Sequence, residues 1–271
     1  FNNLYLKTPR GERGREAPLT NDTTIKNILT HASVFSGIGG AELAASWMGW
    51  KNLFHCEIQQ FPRQVLDYWF PNSESYEDIT KTTFTKWKGK VDVLTGGFPC
   101  QPFSYAGSRK GAEDDRYLWP EMLRVIEELR PSWVIGENVA NILNLALDDV
   151  LSDLESKGYS TRAFMVPARG VGAPHQRYRY AILAHADSYG CGGTGRTPEK
   201  GCDIHPVRAP IAEGEMSCGG HWKPEPGVGR VADGVPRWMD RVRCLGNAVC
   251  PPQFYPFFYY IREIEEALHE P

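Results

Sequence analysis

ILTHASVFSGIGGAELAASW, residues 28–47, begins as an apolar-rich run, breaks at a cluster of glycines and resumes at helical spacing. Residues 28–35 read as a short buried strand and 40–48 as a helix, with Leu43 and Trp47 four apart on one face. The glycines between them let the backbone turn tightly and let a ligand approach closely. The start of the helix adds unpaired N–H groups suited to an anionic group. Taken alone, FSGIGG at 35–40 lacks the third glycine spacing of the dinucleotide pattern GxGxxG, and an ordinary Gly-rich turn also looks like this.

The alternation continues downstream. A second strand fits 53–57, and a helix near 61–69 stops before Pro71. A third short strand ends near Asp78. Val91–Thr95 is a mostly apolar run followed at once by Gly96, Gly97 and Phe98. A helix over 119–129 carries Met122, Ile126 and Leu129 at helical spacing, and SWVIG at 132–136 is the next strand. A helix over about 144–157 and strands near 161–166 and 178–184 complete the set. Short strands alternating with helices predict an α/β fold, a doubly wound, mostly parallel seven-stranded sheet covered on both faces. Sites in such sheets lie at the carboxyl ends of the strands.

Composition bounds the rest. The chain has 271 residues, enough to bury a core without disulfide or metal staples. Hydrophobic residues at 41% and charged residues at 23% exclude a disordered or fibrous chain. A net charge of −3 excludes a globally basic coat but leaves room for a local basic cleft. Seven scattered cysteines and no apolar run of membrane-spanning length predict a reduced, cytoplasmic protein. Residues 1–29 read as an N-terminal extension, 30–186 as a catalytic and cofactor-binding domain, and 236–271 as a C-terminal segment that completes it. Within that last segment, 251–268 reads as a helix returning to pack on the main domain. Residues 187–235 hold 11 Gly and 5 Pro in 49 positions and read as a small loop-rich region. Cys191, Cys202, His205, Cys218 and His221 fall there, but without a CxxC pair they do not predict a metal site.

Several side chains sit where chemistry is expected. Glu57 and Asp78 follow strands; each is a candidate for ribose or base hydrogen bonds, or an ordinary strand-end acid. Cys100 lies between Pro99 and Pro102, just past an apolar strand, in a rigid loop where a thiolate would be a carbon nucleophile. Glu137 follows the next strand, near Cys100 if the two strands are neighbours, and burial would let it hold a proton. Arg177 and Arg179 alternate at strand period, which places both on one face to grip a base or phosphate, or exposes both to solvent.

Together these segments resemble the DNA cytosine-C5 methyltransferase family, in the style of small prophage or restriction-modification enzymes. The ordered set is FSGIGG at 35–40, CEI at 56–58, EDI at 77–79, GGFPCQPFS at 96–104, ENV at 137–139, HQRYR at 175–179 and GNAV at 246–249. The resemblance implies a Rossmann-like methyltransferase sheet with 187–235 as target-recognition region. It also implies methyl transfer from S-adenosyl-L-methionine to carbon 5 of a flipped cytosine in double-stranded DNA, leaving S-adenosyl-L-homocysteine, with no metal. Cys100 would add to carbon 6, Glu137 would hold N3, Arg179 would hold O2, and Arg177 would organise the loop. Phe35, Gly37, Gly39, Gly40, Glu57, Ile58, Asp78, Ile79, Phe98, Asn247 and Val249 would surround the cofactor. Ser104, Arg109, Lys110 and Arg116 lie in a loop that would close over DNA, with Arg162, Arg169 and His175 as further contacts. His175 departs from the family's QxRxR, and its protonation would add pH dependence. The resemblance also implies a monomer from a bacterium or phage, with a cognate restriction endonuclease as a system partner. Rival readings are a tRNA cytosine-5 methyltransferase, although the CFT segment of such relatives is missing, and a non-catalytic DNA-binding homologue. A nicotinamide-dependent oxidoreductase is disfavoured by the glycine spacing.

Overall fold

A computed structural model of the chain describes residues 28–99, 117–173, 175–186 and 238–269. The elements in chain order are β1 (Thr30–Val34), α1 (Gly40–Trp47), β2 (Lys51–Cys56), α2 (Gln60–Trp69), β3 (Glu74–Tyr76), β4 (Val93–Gly96) and α3 (Trp119–Leu129). They continue with β5 (Trp133–Val139), α4 (Leu147–Ser156), β6 (Tyr159–Pro167), β7 (Tyr178–Ala186), α5 (Trp238–Asn247) and α6 (Pro251–His269). The seven strands form one sheet in the order β3-β2-β1-β4-β5-β7-β6. Strands β1 to β5 pair in parallel, and β7 runs antiparallel between β5 and β6. The chain steps outward from β1 to β3 and returns to β4 on the other side of β1. That reversal opens a crevice beyond the carboxyl ends of β1 and β4.

The strand period of two divides the core between the two faces. Ala32, Val34, Phe54, Leu94, Val134, Ile182 and Ala184 meet Met122, Val125, Ile126 and Leu129 of α3 and Val150 and Leu154 of α4. Val93, Trp133, Ile135 and Leu183 face the other way, onto Ala44 and Ala45 of α1 and Phe254, Phe258 and Ile261 of α6. The sheet is therefore doubly wound, as the pattern predicts, and the C-terminal helix packs on α1.

Differences lie where partners far along the chain extend or cut an element. The sequence ends β5 at Gly136, but the antiparallel partner carries the ladder on to Val139, opposite Arg179. β6 and β7 lengthen each other in the same way, from Tyr159 opposite Ala186 to Pro167 opposite Tyr178. The helix expected over 144–157 is a 3₁₀ turn at Ala140–Asn144 followed by α4, because Ala146 leaves helical geometry at φ −156. β3 ends at Tyr76, and Asp78 instead caps a 3₁₀ turn by accepting from Thr80 N at 3.0 Å. Helix α5 is not anticipated by the sequence reading. The region 187–235 and residues 1–27 lie outside the described residues. Among the described residues no helix is long and apolar enough to cross a membrane.

Candidate active site

The crevice between β1 and β4 is lined by Ser33, Phe35 and Ser36 on one side, Thr95, Gly96 and Gly97 on the other, and Val249 and Phe254 from the C-terminal segment. The chain leaves β1 through a sequence of left-handed residues, Phe35 at φ 54, Gly37 at 56 and Gly39 at 87. A phenylalanine there is sterically costly and persists only where its surroundings fix it. The loop is tied to β2: Ser36 N donates to Cys56 O at 3.2 Å, and Gly37 N donates to Glu57 Oε2 at 2.9 Å. Gly40 has a different reason to be glycine. A Cβ there would sit 2.5 Å from the carbonyl oxygen of Val249. The close approach joins the start of α1 to the GNAV segment.

Glu57 is buried, and its other oxygen accepts from Gln59 N at 2.8 Å. Burial raises its carboxyl, while the N–H groups of Gln59 and Gly37 pull the other way. A carboxylate offers about four lone-pair directions, so two remain for hydroxyl donors such as a ribose diol. Beside it Ile58 is 62% exposed, an apolar surface suited to a flat ring. Asp78 accepts from Thr80 and pairs with Lys81 at 3.0 Å, and these contacts lower its carboxyl. Ile79 is buried, and its carbonyl accepts from Arg124 Nη2 at 2.6 Å.

A second group of residues lies at the same edge, one strand further on. Gly96 is level with Gly136 in the β4–β5 ladder, so the two strands are neighbours as the Cys100–Glu137 reading requires. Glu137 and Arg179 are diagonal across the antiparallel β5–β7 pair, and Arg179 Nε meets Glu137 Oε1 at 2.8 Å. Burial raises the Glu137 carboxyl, against the opposing charges of Arg179 and Arg177. A Cβ on Gly97 would lie 3.2 Å from Glu137 Oε2, so this glycine lets the carboxyl approach the backbone that leads to Cys100.

Arg177 does not follow the strand alternation. It precedes β7 with φ 34, and its Nη2 donates to Gly246 O at 3.0 Å and to Ala248 O. It thus fastens the GNAV segment, while Arg179 pairs with the acid. Gln253 reinforces this junction by donating to Val166 O at 2.7 Å and to Arg177 O at 3.2 Å.

Asn138 has no role in the sequence reading beyond its place in ENV, yet it is buried, donates to Phe98 O at 2.9 Å and accepts from Val139 N at 2.9 Å. It fixes the backbone just before Cys100. In the sequence it stands two residues past the expected end of the strand, where no local signal marks it. Phe98 itself departs from the cofactor expectation: its side chain is in the core, 5.0 Å from the Trp119 ring and packed over Gly136. Asn247 is exposed at the end of α5. Arg169 and His175 are exposed just before β7, and Arg162 is exposed midway along the edge strand β6, opposite Leu183. Cys100, Ser104, Arg109, Lys110 and Arg116 lie outside the described residues, as do the five cysteines and histidines of 187–235. Among the described residues no three His, Cys, Asp or Glu side chains gather as a metal site.

Comparison with known proteins agrees with this geometry. The chain is 40% identical over 132 residues to the type II methyltransferase M.PspPI of Psychrobacter, covering 46% of this chain and 32% of that protein. It is 30% identical over 197 residues to M.Eco47II of Escherichia coli, covering 70% of this chain and 47% of that protein. The chain thus spans less than half the length of these relatives. Among solved structures, the Schizosaccharomyces pombe Dnmt2 methyltransferase superposes with a TM-score of 0.51 at 20% identity, over 60% of this chain and 53% of that one, which shows a shared fold. The family profile described as C-5 cytosine-specific DNA methylase matches residues 29–201, well over half the chain. With the glycine loop, the seven strands and the Glu137–Arg179 pair all inside that matched range, the chain belongs to the C-5 cytosine-specific DNA methylase family.

Proposed function

We propose that this chain methylates carbon 5 of cytosine in double-stranded DNA, using S-adenosyl-L-methionine and releasing S-adenosyl-L-homocysteine. The observation that carries this reading is the Glu137–Arg179 pair, 2.8 Å apart beside Gly97 at the head of the Cys100 loop. An acid and a fixed guanidinium side by side match the N3 and O2 edge of one cytosine. The β1–β4 crevice fits the cofactor: Glu57 for ribose hydroxyls, exposed Ile58 for adenine, and Gly40 closed by Val249 around the amino-acid end. Phe35, Gly37, Gly39, Asp78, Ile79 and Asn247 complete the surroundings. Bound there, S-adenosyl-L-methionine supplies an electrophilic methyl group.

Cys100 would attack carbon 6 as a thiolate, forming the sulfur–carbon bond while the carbon 5–carbon 6 π electrons shift toward carbon 5. Glu137, held toward its neutral form by burial, gives its proton to N3 and stabilises the charge that develops. Arg179 donates to O2. After methyl transfer, water or hydroxide removes the carbon 5 proton, the sulfur–carbon bond breaks as the carbon 5–carbon 6 double bond returns, and N3 gives its proton back to Glu137. The cytosine must leave the duplex to reach this edge. Ser104, Arg109, Lys110, Arg116, Arg162, Arg169 and His175 would hold the DNA backbone, and 187–235 would read the target. The protein would act as a monomer in a bacterial cytoplasm, with a cognate restriction endonuclease as system partner; of these, only the endonuclease is in keeping with the relatives' designation as type II methyltransferases.

The test is transfer of labelled methyl to unmethylated mixed-sequence DNA, beside total tRNA and beside Cys100→Ala. Label in DNA that vanishes with the substitution is expected. Label confined to tRNA would replace the DNA reading with an RNA one, and label in neither would leave a non-catalytic homologue.

A further inference from the structure

Behind the glycine loop lies a chain of polar groups that the proposed chemistry does not use, with Glu42 and Ser33 buried and Ser36 half-buried at the crevice. Glu42, in the first turn of α1, is fully buried. Its Oε1 is hydrogen-bonded to Ser33 Oγ. Ser33 Oγ is 2.5 Å from Ser36 Oγ, and Ser36 Oγ donates to Cys56 O at 3.2 Å. Counting protons decides the state of the acid. If Glu42 were ionised, Ser33 would have to donate to it. Ser36 would then have to donate to both Ser33 and Cys56 O, and one hydroxyl has one proton. All three bonds form together only when Glu42 contributes the missing proton.

The surroundings agree. Glu42 Oε2 has no hydrogen-bond partner, which an ionised carboxylate in the interior tolerates poorly. Burial pushes this carboxyl up to about 7 against the opposing pull of hydrogen bonds from Ser33, the backbone and Ser36, and the nearby charge of Glu57 adds a smaller upward push. The other titratable groups around it offer no cation near neutral pH. His31 on β1 is held down to about 4, and Cys56 on β2 is pushed up to about 12. The face of α6 on α1 is apolar, with Phe254, Phe258 and Ile261. On β4, Thr95 is neutral and bonded to His31 at 2.9 Å.

We infer that neutral Glu42 is a positioning residue for the cofactor: its proton completes the Ser33–Ser36 relay that pins the FSGIGG loop to Cys56, next to Glu57. This rests on the reading of the crevice as a cofactor site. Ionisation breaks one hydroxyl link, so Ser36 is left with its backbone N–H on Cys56 O and the Cys56 N–H on its hydroxyl, both at 3.2 Å. This weaker hold loosens Gly37, whose N–H orients Glu57. Cofactor affinity therefore falls as Glu42 loses its proton.

The test is calorimetric binding of S-adenosyl-L-homocysteine to the full chain at pH 6.5 and 8.5, for wild type, Glu42→Gln and Ser33→Ala. Titration of Glu57 and of the ligand's amino group appears in all three, so differences between them report Glu42. Wild-type Kd should rise by about tenfold more than that of Glu42→Gln between the two pH values, because the amide stays neutral and can donate to Ser33. Ser33→Ala should bind about fivefold more weakly than wild type at pH 6.5, the worth of one hydrogen bond. The same pH dependence in wild type and Glu42→Gln, with binding intact, would overturn this role alone. No binding by folded wild type at either pH would overturn the cofactor reading with it.

Discussion

Replacing Gly40 with alanine tests whether the C-terminal segment closes the cofactor crevice. The new Cβ would lie 2.5 Å from Val249 O and 3.2 Å from both Val249 C and Val249 Cβ, where ordinary contact starts near 3.4 Å. The overlap is about 0.9 Å against backbone, so no side-chain rotation relieves it. Behind Gly40, Ala44 and Ala45 already pack on the α6 face, leaving α1 little room to retreat. Overpacking of this kind costs about 1–3 kcal/mol, and each kcal/mol lowers the melting temperature of a domain this size by about 2–4 °C. The site should suffer more than the fold. An ångström-scale displacement of Val249 should weaken S-adenosyl-L-homocysteine binding by about tenfold, equivalent to about 1.4 kcal/mol. Gly158→Ala is the control. It strains a left-handed residue at φ 80 in open space, so it should lower the melting temperature and leave affinity unchanged. Differential scanning calorimetry and titration calorimetry read the two quantities separately. Wild-type affinity in Gly40→Ala would refute the closure.

Asn138→Ala removes a donor to Phe98 O and an acceptor for Val139 N inside the protein, which should cost about 1–3 kcal/mol in urea unfolding. It should also reduce kcat while S-adenosyl-L-homocysteine affinity holds, because the bond fixes the strand end before Cys100; a loss of affinity with unchanged kcat would contradict that placement. Stability should also depend on pH in two opposed ways. Glu42, raised from 4.5 to about 7, contributes stability that is complete below pH 4.5 and is lost as pH rises through 7. The shift corresponds to roughly 3 kcal/mol, which Glu42→Gln should not lose. His31, lowered from 6.5 to about 4, acts in reverse, and its contribution disappears as pH falls from 6.5 through 4. Parallel stability curves for wild type and Glu42→Gln from pH 5 to 8 would contradict the buried acid.

The first βα unit was legible because its signals are local: an apolar run, three glycines, a helix within twenty residues. The strands β4 and β5 were legible for the same reason, but their being neighbours, which brings Gly97 to Glu137, was only a condition of the sequence reading and is supplied by the ladder. What could not be read depends on distant partners. Nothing within 132–139 says that β5 runs past Gly136; the antiparallel pairing with β7 does. Arg177 and Arg179 look equivalent by spacing, and only the positive φ of Arg177 turns it toward Gly246 and Ala248. Glu42 reads as a favourable acid near a helix start. Its burial follows from the packing of α1 on the sheet, which no local pattern records. Phe98, within a recognised motif, was assigned to the cofactor because motif membership does not say which way a ring points.

The reversed strand β7 sets the site by counting. Glu137 lies opposite Ala181 and Val139 opposite Arg179, so this alignment sets acid and guanidinium as diagonal neighbours on one face. A slip of a single residue between β5 and β7 would turn Arg179 to the opposite face and leave Glu137 without its partner. Nine ladder positions shared with β6 resist such a slip. The inserted strand thus works as a ruler: insertions in the connections before Tyr178 or after Ala186 leave the pair intact, whereas one residue added or removed between Arg179 and Ile182 dismantles it.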